Sequence, residues 1–248
     1  MLVHLSFELF HLYKKMCKLL RIHLFFLLST CIGLAQNNIG SWNTTNINLK
    51  LNSKWLVFAE TQLRSLRFYD DFHYYEYKGG ATFRLKPNFY VTSGLGSFNT
   101  FSEGGNFQTP IKQKEIRTWL QLVFKNPFEF MKIEHRYRAE QRFTSNGYKN
   151  RFRYRLSVNI PLFENTKYKN DYYILAWNEI FFTNKEPFFE RNRAFLGGGF
   201  DINKNLAIQT GYIYQFDYKI NDESGRDFFN LILLYSFDFN GEKETTLD

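Results

Sequence analysis

The chain predicts an all-β fold: an antiparallel transmembrane up-and-down β-barrel of 10–12 strands, with 12 favoured, preceded by a cleaved signal peptide. Three observations carry that expectation. Side-chain character alternates with period two through runs of about ten residues or more, longer than the usual strand of about 5–6 residues. Aromatic residues make up 20% of the 248 residues, with 29 Phe and 16 Tyr, yet mean hydropathy is only −0.41. The chain also opens like an exported protein. A transmembrane barrel combines these features because alternate residues meet lipid and a polar lumen.

The first 35 residues read as a leader to be set aside from the fold. Lys14, Lys15, Lys18 and Arg21 precede the apolar run Leu24–Leu28, and Gly33-Leu34-Ala35 supplies small residues for cleavage before Gln36. Met16 makes a better-proportioned start than Met1. The apolar run is shorter than the roughly 20 residues a spanning helix needs. A lipoprotein leader ending at Cys31 is the rival reading, although Thr30 fits poorly immediately before a lipidated cysteine. The domains expected are therefore 1–35 signal peptide, 36–240 barrel and 241–248 polar tail. Cys17 and Cys31 are the only cysteines, so the remainder has no disulfide, cysteine-based metal site or cysteine nucleophile. Of the net charge of +8, the leader's four basic residues and one acid, Glu8, supply +3, leaving +5. An exported chain whose basic residues interleave with aromatics along strands points away from nucleic acid as a partner.

Eleven strands can be marked beyond the leader. Trp42–Leu51 has Ile47, Leu49 and Leu51 on one face, and Asn52-Ser53-Lys54 turns it into Trp55–Arg64. There Trp55, Val57, Ala59 and Leu63 alternate with Glu60, Gln62 and Arg64. Phe72–Leu85 sets Tyr75, Tyr77, Ala81 and Phe83 against Glu76, Lys78 and Arg84, and Lys86-Pro87-Asn88 turns it into Phe89–Phe98. A longer polar loop, about 99–112, leads to Glu115–Phe124, and Lys125-Asn126-Pro127 returns the chain into a central hairpin. Four strands follow that hairpin: Tyr172–Phe182, Phe189–Ile202, Leu206–Phe216 and Phe228–Phe239. No helical period and no linker interrupts the series, so one domain is expected. Short connections alternate with mostly longer ones, at 65–71, 99–112, 183–188 and 217–227, as in barrels with short periplasmic turns and longer outer loops. Eleven is odd where bacterial single-chain barrels are even, hence the preference for twelve.

The central hairpin, within 128–160, carries the chemistry. Glu134, Arg136, Arg138, Glu140 and Arg142 share one parity, and Arg151, Arg153 and Arg155 share one on the returning strand. Ile133, His135, Tyr137, Phe152, Tyr154 and Leu156 occupy the opposite parity. A two-residue Asn146-Gly147 turn sets Glu140 opposite Arg153 and His135 opposite Val158, so charged and apolar faces each coincide. The same register makes like-charge pairs of Arg142 with Arg151 and Arg138 with Arg155. A four-residue connection at 125–128 sets Glu115 opposite Arg138 and Trp119 opposite Glu134. A three-residue turn at 203–205 sets Arg191 opposite Asp217 and Arg193 opposite Gln215.

The polar network expected in the lumen is Glu60, Arg64, Glu115, Arg117, Glu134, Arg136, Arg138, Glu140, Arg142, Arg151, Arg153, Arg155, Glu179, Arg191 and Arg193. Arginine pairs carboxylates through its planar fork. Two roles compete for such a network: bracing and filling a small barrel, or lining a passage or pocket for anionic solutes. A lipid-modifying enzyme is the third reading. His73 and His135 are the only histidines past the leader, and no serine falls beside either in these registers. No phosphate-loop pattern or metal-spaced cluster is present, so no catalytic residue, cofactor or metal is predicted. Gly197-Gly198-Gly199 lies within a strand, where it relieves crowding or permits a bend.

The blocks Glu134-His135-Arg136-Tyr137-Arg138, Arg151-Phe152-Arg153-Tyr154-Arg155-Leu156, Asn178-Glu179-Ile180-Phe181-Phe182 and Arg191-Asn192-Arg193 resemble, in this order, the bacterial family catalogued as domain of unknown function 2490. The resemblance runs from Trp42 to the last strand. It implies an outer-membrane-type β-barrel of Gram-negative bacteria, without an activity. The partners that follow are outer-membrane lipid, the barrel-assembly machinery through the aromatic-ended last strand, and an anionic solute if anything is bound.

Overall fold

Each alternating run becomes a strand in the computed structural model, which describes residues 39–163 and 172–239. The expected leader, the polar tail and the 164–171 connection lie outside the described residues. The strands are β1 (Ile39–Lys50), β2 (Trp55–Arg67), β3 (Asp70–Lys86), β4 (Phe89–Ser102), β5 (Gln108–Pro127), β6 (Lys132–Thr144), β7 (Gly147–Phe163), β8 (Tyr172–Thr183), β9 (Phe189–Asn203), β10 (Leu206–Asp217) and β11 (Ser224–Asp238). They run from 12 residues in β1 to 20 in β5. All described regular elements are strands, and they close into one barrel in which each strand pairs with its chain neighbours.

Eleven strands fall within the expected range but short of the favoured twelve. The odd number has a geometric consequence. In a meander β1 and β11 then run the same way, so the barrel closes through a parallel ladder from Ile39↔Asp227 to Lys50↔Asp238. Parallel pairing is slightly weaker per residue. Here it is supplemented by the amide of buried Asn230, which donates to the Trp42 carbonyl at 2.8 Å. Strand β1 therefore starts at one rim and β11 ends at the other, called below the N-terminal and C-terminal rims.

Registers differ from the expected ones where turn chemistry moved the bend. In the β6–β7 hairpin the turn is Ser145-Asn146, and Gly147, with φ +110°, is already paired with Thr144. The Thr144 hydroxyl accepts from the Asn146 amide at 3.1 Å and donates to the Gly147 carbonyl at 2.8 Å, which pulls the turn towards it. Glu140 thus faces Arg151 rather than Arg153, and His135 faces Leu156 rather than Val158. The slip is two residues, so both faces keep their character.

Between β5 and β6 the correction is larger. Pro127 ends the ladder opposite Lys132 instead of opening the turn, and the bend is Phe128–Met131. Glu115 then pairs with Thr144 and Trp119 with Glu140. At the β9–β10 turn the bend is only Lys204-Asn205, with Leu206 paired to Asn203, and a bulge between Leu206 and Ala207 that skips Ile202 restores the expected pairs of Arg191 with Asp217 and Arg193 with Gln215.

Strands also run further than the apolar alternation marked. The expected longer loops at 65–71 and 99–112 shrink to Phe68-Tyr69 and to residues 103–107. Polar and charged residues such as Ser65, Arg67, Asp70 and Gln108 continue the ladders beyond the apolar band. The length contrast between the two sets of connections is correspondingly small.

Outward side chains are apolar along the barrel's middle, with Leu95, Leu120 and Leu196 exposed at 62%, 54% and 62%. Aromatic pairs sit nearer the rims. Trp55–Phe83, Phe89–Phe124 and Tyr172–Phe200 lie at the C-terminal rim with ring centres 4.8, 4.4 and 5.7 Å apart. At the N-terminal rim Phe68–Phe229, Phe143–Tyr148 and Phe182–Phe189 lie 5.8, 5.1 and 5.9 Å apart.

The inward face is not uniformly polar. Trp42, Phe195, Ile213 and Phe228 form one buried cluster, against which Leu175 and Trp177 pack. Tyr74, Phe98 and Trp119, with Phe58, form a second. Glycines make room for these rings, most clearly at Gly94, where an added Cβ would lie 2.3 Å from Trp119 Cζ2. A Gly94→Val barrel is expected to lose about 1–3 kcal/mol through overpacking, measured as a lowered urea midpoint of the refolded protein. Gly197, in the glycine triplet, plays the same part for Phe195, whose Cζ would stand 2.6 Å from an added Cβ.

Candidate functional site: the charged lumen

Inward parity brings the charged residues of β2 to β10 onto one surface, around a cavity of about 1430 Å³ lined by side chains from both rims. Fourteen of the fifteen residues singled out in the sequence line this cavity. The fifteenth, Glu140, is 2% exposed and lies beneath them, paired to three of their guanidinium groups.

The acids are the organising centres. Glu140 accepts from Arg151 Nε at 2.8 Å and from Arg153 at 2.6 Å, with Arg138 further off at 3.7 Å. Glu179, also 2% exposed, takes both arms of Arg153 at 3.0 and 2.9 Å and reaches past β7 to Arg136 at 2.5 Å. Glu115 holds Arg142 through two bonds, of 2.5 and 2.8 Å, and Arg117 through two more. Glu190 on β9 faces Arg142 at 3.0 Å and Arg151 at 3.6 Å. On the far wall Lys78 bridges Glu60 and Glu76, each at 2.5 Å, and Arg64 reaches Glu76 at 3.3 Å. Arg191 pairs with Asp217. Glu134 sits near the C-terminal rim, 3.7 Å from Lys125.

The expected like-charge pairs of Arg142 with Arg151 and Arg138 with Arg155 do not form. The shifted register opposes Arg136 to Arg155, Arg138 to Arg153 and Arg142 to Lys149. Like charges still face each other across the hairpin, and Glu140 and Glu179, taking arginines at diagonal and neighbouring-strand positions, offset the repulsion.

Aromatic faces complete the arginine environment, and the sequence reading missed them. Phe181, fully buried, has Arg153 at 4.6 Å and Arg193 at 4.9 Å from its ring centre. Arg64 lies 3.4 Å from the Trp42 ring centre and 4.2 Å from that of Tyr74. Guanidinium groups are weakly hydrated and stack on rings at little cost. The available signal was parity, since Phe181 shares the face of Glu179 and Trp119 that of Arg117.

Three lumen arginines are held mainly by other groups than carboxylates, with Arg138 only sharing Glu140 at 3.7 Å. Arg138 donates to Gln121 at 2.9 and 2.6 Å, and Arg193 to Gln215 at 2.8 Å. Arg155 makes no hydrogen bond or ion pair among the described residues, and its Nε is buried without a partner. Its guanidinium lies 5.2 Å from the Trp177 ring centre.

The histidines stand apart from this network. His135 faces outward, paired with Phe124 and with Leu156 rather than Val158, and its Nδ1 lies 2.9 Å from the Tyr154 hydroxyl. His73 falls at an irregularity in the β2–β3 ladder and lines the cavity. Outside the strands Glu103 pairs with Arg226 at 2.6 Å, and that hydrogen bond holds its carboxyl below the usual range. Among the described residues no group of three or more His, Cys, Asp and Glu is placed to hold a metal ion.

Fold and site together define a closed eleven-stranded meander barrel with an arginine-rich, aromatic-braced lumen. Residues 39–226 match the model of the family described as protein of unknown function (DUF2490), and the chain belongs to that family. Neither a curated protein nor a solved structure matches it.

Proposed function

We propose that the chain is an integral outer-membrane barrel whose lumen admits small anionic solutes. The apolar outward band flanked by aromatic pairs supports the membrane placement, because water-facing strands would carry polar residues there. The basic-then-apolar leader in the sequence supports export. The anion reading is carried by one observation. Arg155 and Arg193 line the cavity with no ion pair among the described residues, and Arg138 only shares Glu140, at 3.7 Å, with two closer arginines, so the lumen holds positive charge that its own acids do not neutralise.

A plugged, structural barrel is the second reading. It is favoured by the cross-strand clamps of Glu140 and Glu179, which tie β6, β7 and β8 together through the interior. A lipid-modifying enzyme draws no support from His135, whose partner is a tyrosine hydroxyl on the outward face.

Single-channel recording of the refolded barrel in planar bilayers separates the readings, after heat-modifiable gel migration has established folding. Discrete anion-preferring steps are expected. Arg138→Gln with Arg155→Gln should lower the anion/cation permeability ratio about threefold or more. A folded, inserted barrel with no conductance overturns the passage and leaves the structural barrel. A soluble folded monomer overturns the membrane placement.

A further inference from the structure

The lumen's half nearer the C-terminal rim has two unlike walls. Over 231–234 strand β11 is apolar on both parities: Leu231 and Leu233 point out, while Ile232 and Leu234 line the cavity beyond the polar inward residues Arg226 and Asn230. Leu175 and Trp177 of β8 line it too, with Trp177 stacked on Phe195 at 5.4 Å and 11°. Leu175 and Trp177 pack on the buried Trp42–Phe195–Ile213–Phe228 cluster and, with Ile232 and Leu234, also face the cavity without joining its ion pairs, which leaves an apolar wall there.

Beside it, on β6 and β7, lies positive charge that is incompletely paired. Arg155 and Arg136 are direct cross-strand partners, and the Nε of each is buried with no hydrogen-bond partner. Glu179, the cross-strand neighbour of Arg155 on β8, is taken up by Arg153 and Arg136. Arg155 therefore presents its guanidinium beside the ring of Trp177, where the charged and apolar walls meet.

We infer that this half of the lumen is a binding site for a small organic anion with one carboxylate and an apolar body. The carboxylate takes the planar fork of Arg155, with Arg136 adding charge, and the body lies along Trp177, Leu175, Ile232 and Leu234. This rests on the anion reading above and adds the ligand's class. An inorganic anion would leave the apolar wall unused, and a neutral apolar molecule would leave Arg155 unpaired.

The test is calorimetric titration of the full barrel, refolded in lipid nanodiscs, with 1-naphthoate, inorganic phosphate and 1-naphthalenemethanol, with empty nanodiscs subtracted. Saturable binding of 1-naphthoate is expected, with the other two probes markedly weaker. Arg155→Gln should weaken 1-naphthoate about tenfold, and Ile232→Asn with Leu234→Asn should weaken it about tenfold while leaving phosphate unchanged. Should Arg155→Gln fail to refold, the β11 double variant decides the matter alone. Phosphate binding as tightly as 1-naphthoate, or no saturable 1-naphthoate binding, overturns the inference. Anion-selective conductance without 1-naphthoate binding removes this inference and keeps the proposed function. Binding without conductance keeps the site and removes the passage.

Discussion

Glu140→Gln is expected to cost about 3–5 kcal/mol, the penalty for stripping the anion from a buried ion cluster. Glu140 is 2% exposed and binds Arg151 and Arg153 directly. Without its charge those two guanidinium groups, neighbours on the inward face of β7, are left beside each other and beside Arg138, which pairs with Arg153 across the β6–β7 ladder. The loss should appear as a lowered urea midpoint of the barrel in lipid vesicles, read by tryptophan fluorescence. Adding Arg151→Gln to Glu140→Gln should recover part of it, because one of the stranded cations is gone. Glu103→Gln supplies the contrast. Its pair with Arg226 is part-exposed at the rim, so the change should cost less than about 1 kcal/mol. Equal effects at the two sites would mean that lumen water screens the central cluster as bulk water does.

Leu95→Arg addresses the outer face. Leu95 points outward from the middle of β4, between Gly79 of β3 and Thr118 of β5. On a lipid-facing surface at mid-depth the change should cost about 2–4 kcal/mol in vesicle-embedded unfolding. On a water-facing surface it should fall within about 0.5 kcal/mol of neutral. Leu196→Arg, on β9, should behave alike, since an apolar band encircles the barrel rather than marking one docking patch. A cost at one position and none at the other would indicate a protein contact instead of lipid.

Much of the fold and part of the lumen were legible because a strand encodes its two faces in simple alternation. Glu134, Arg136 and Arg138 had to share a face, and Ile133, His135 and Tyr137 the other, whatever the turn did. The stacking of arginines on Phe181 and Trp42 was legible only in part. Parity placed the rings inward, but hydropathy assigned aromatics to the outer face by habit. The inward Ile232 and Leu234 of β11 were hidden for the same reason, since the stretch 231–234 is apolar on both faces and has no alternation to read.

The period-two pattern by itself determined that this protein is a series of long antiparallel strands with one charged and one apolar-aromatic face. Local chemistry encodes that face by face, without reference to distant residues. Only the tertiary structure decided the register, the strand count and the ion pairs. The Thr144 hydroxyl and Pro127 shifted two turns by even numbers of residues, which parity cannot detect. The parallel closure of β1 on β11 joins residues about 190 positions apart, and nothing local to either strand specifies how many strands separate them. Which arginines keep a carboxylate, and that Arg155 does not, followed from those registers, because charge pairing depends on diagonal distances that a two-residue slip rewrites.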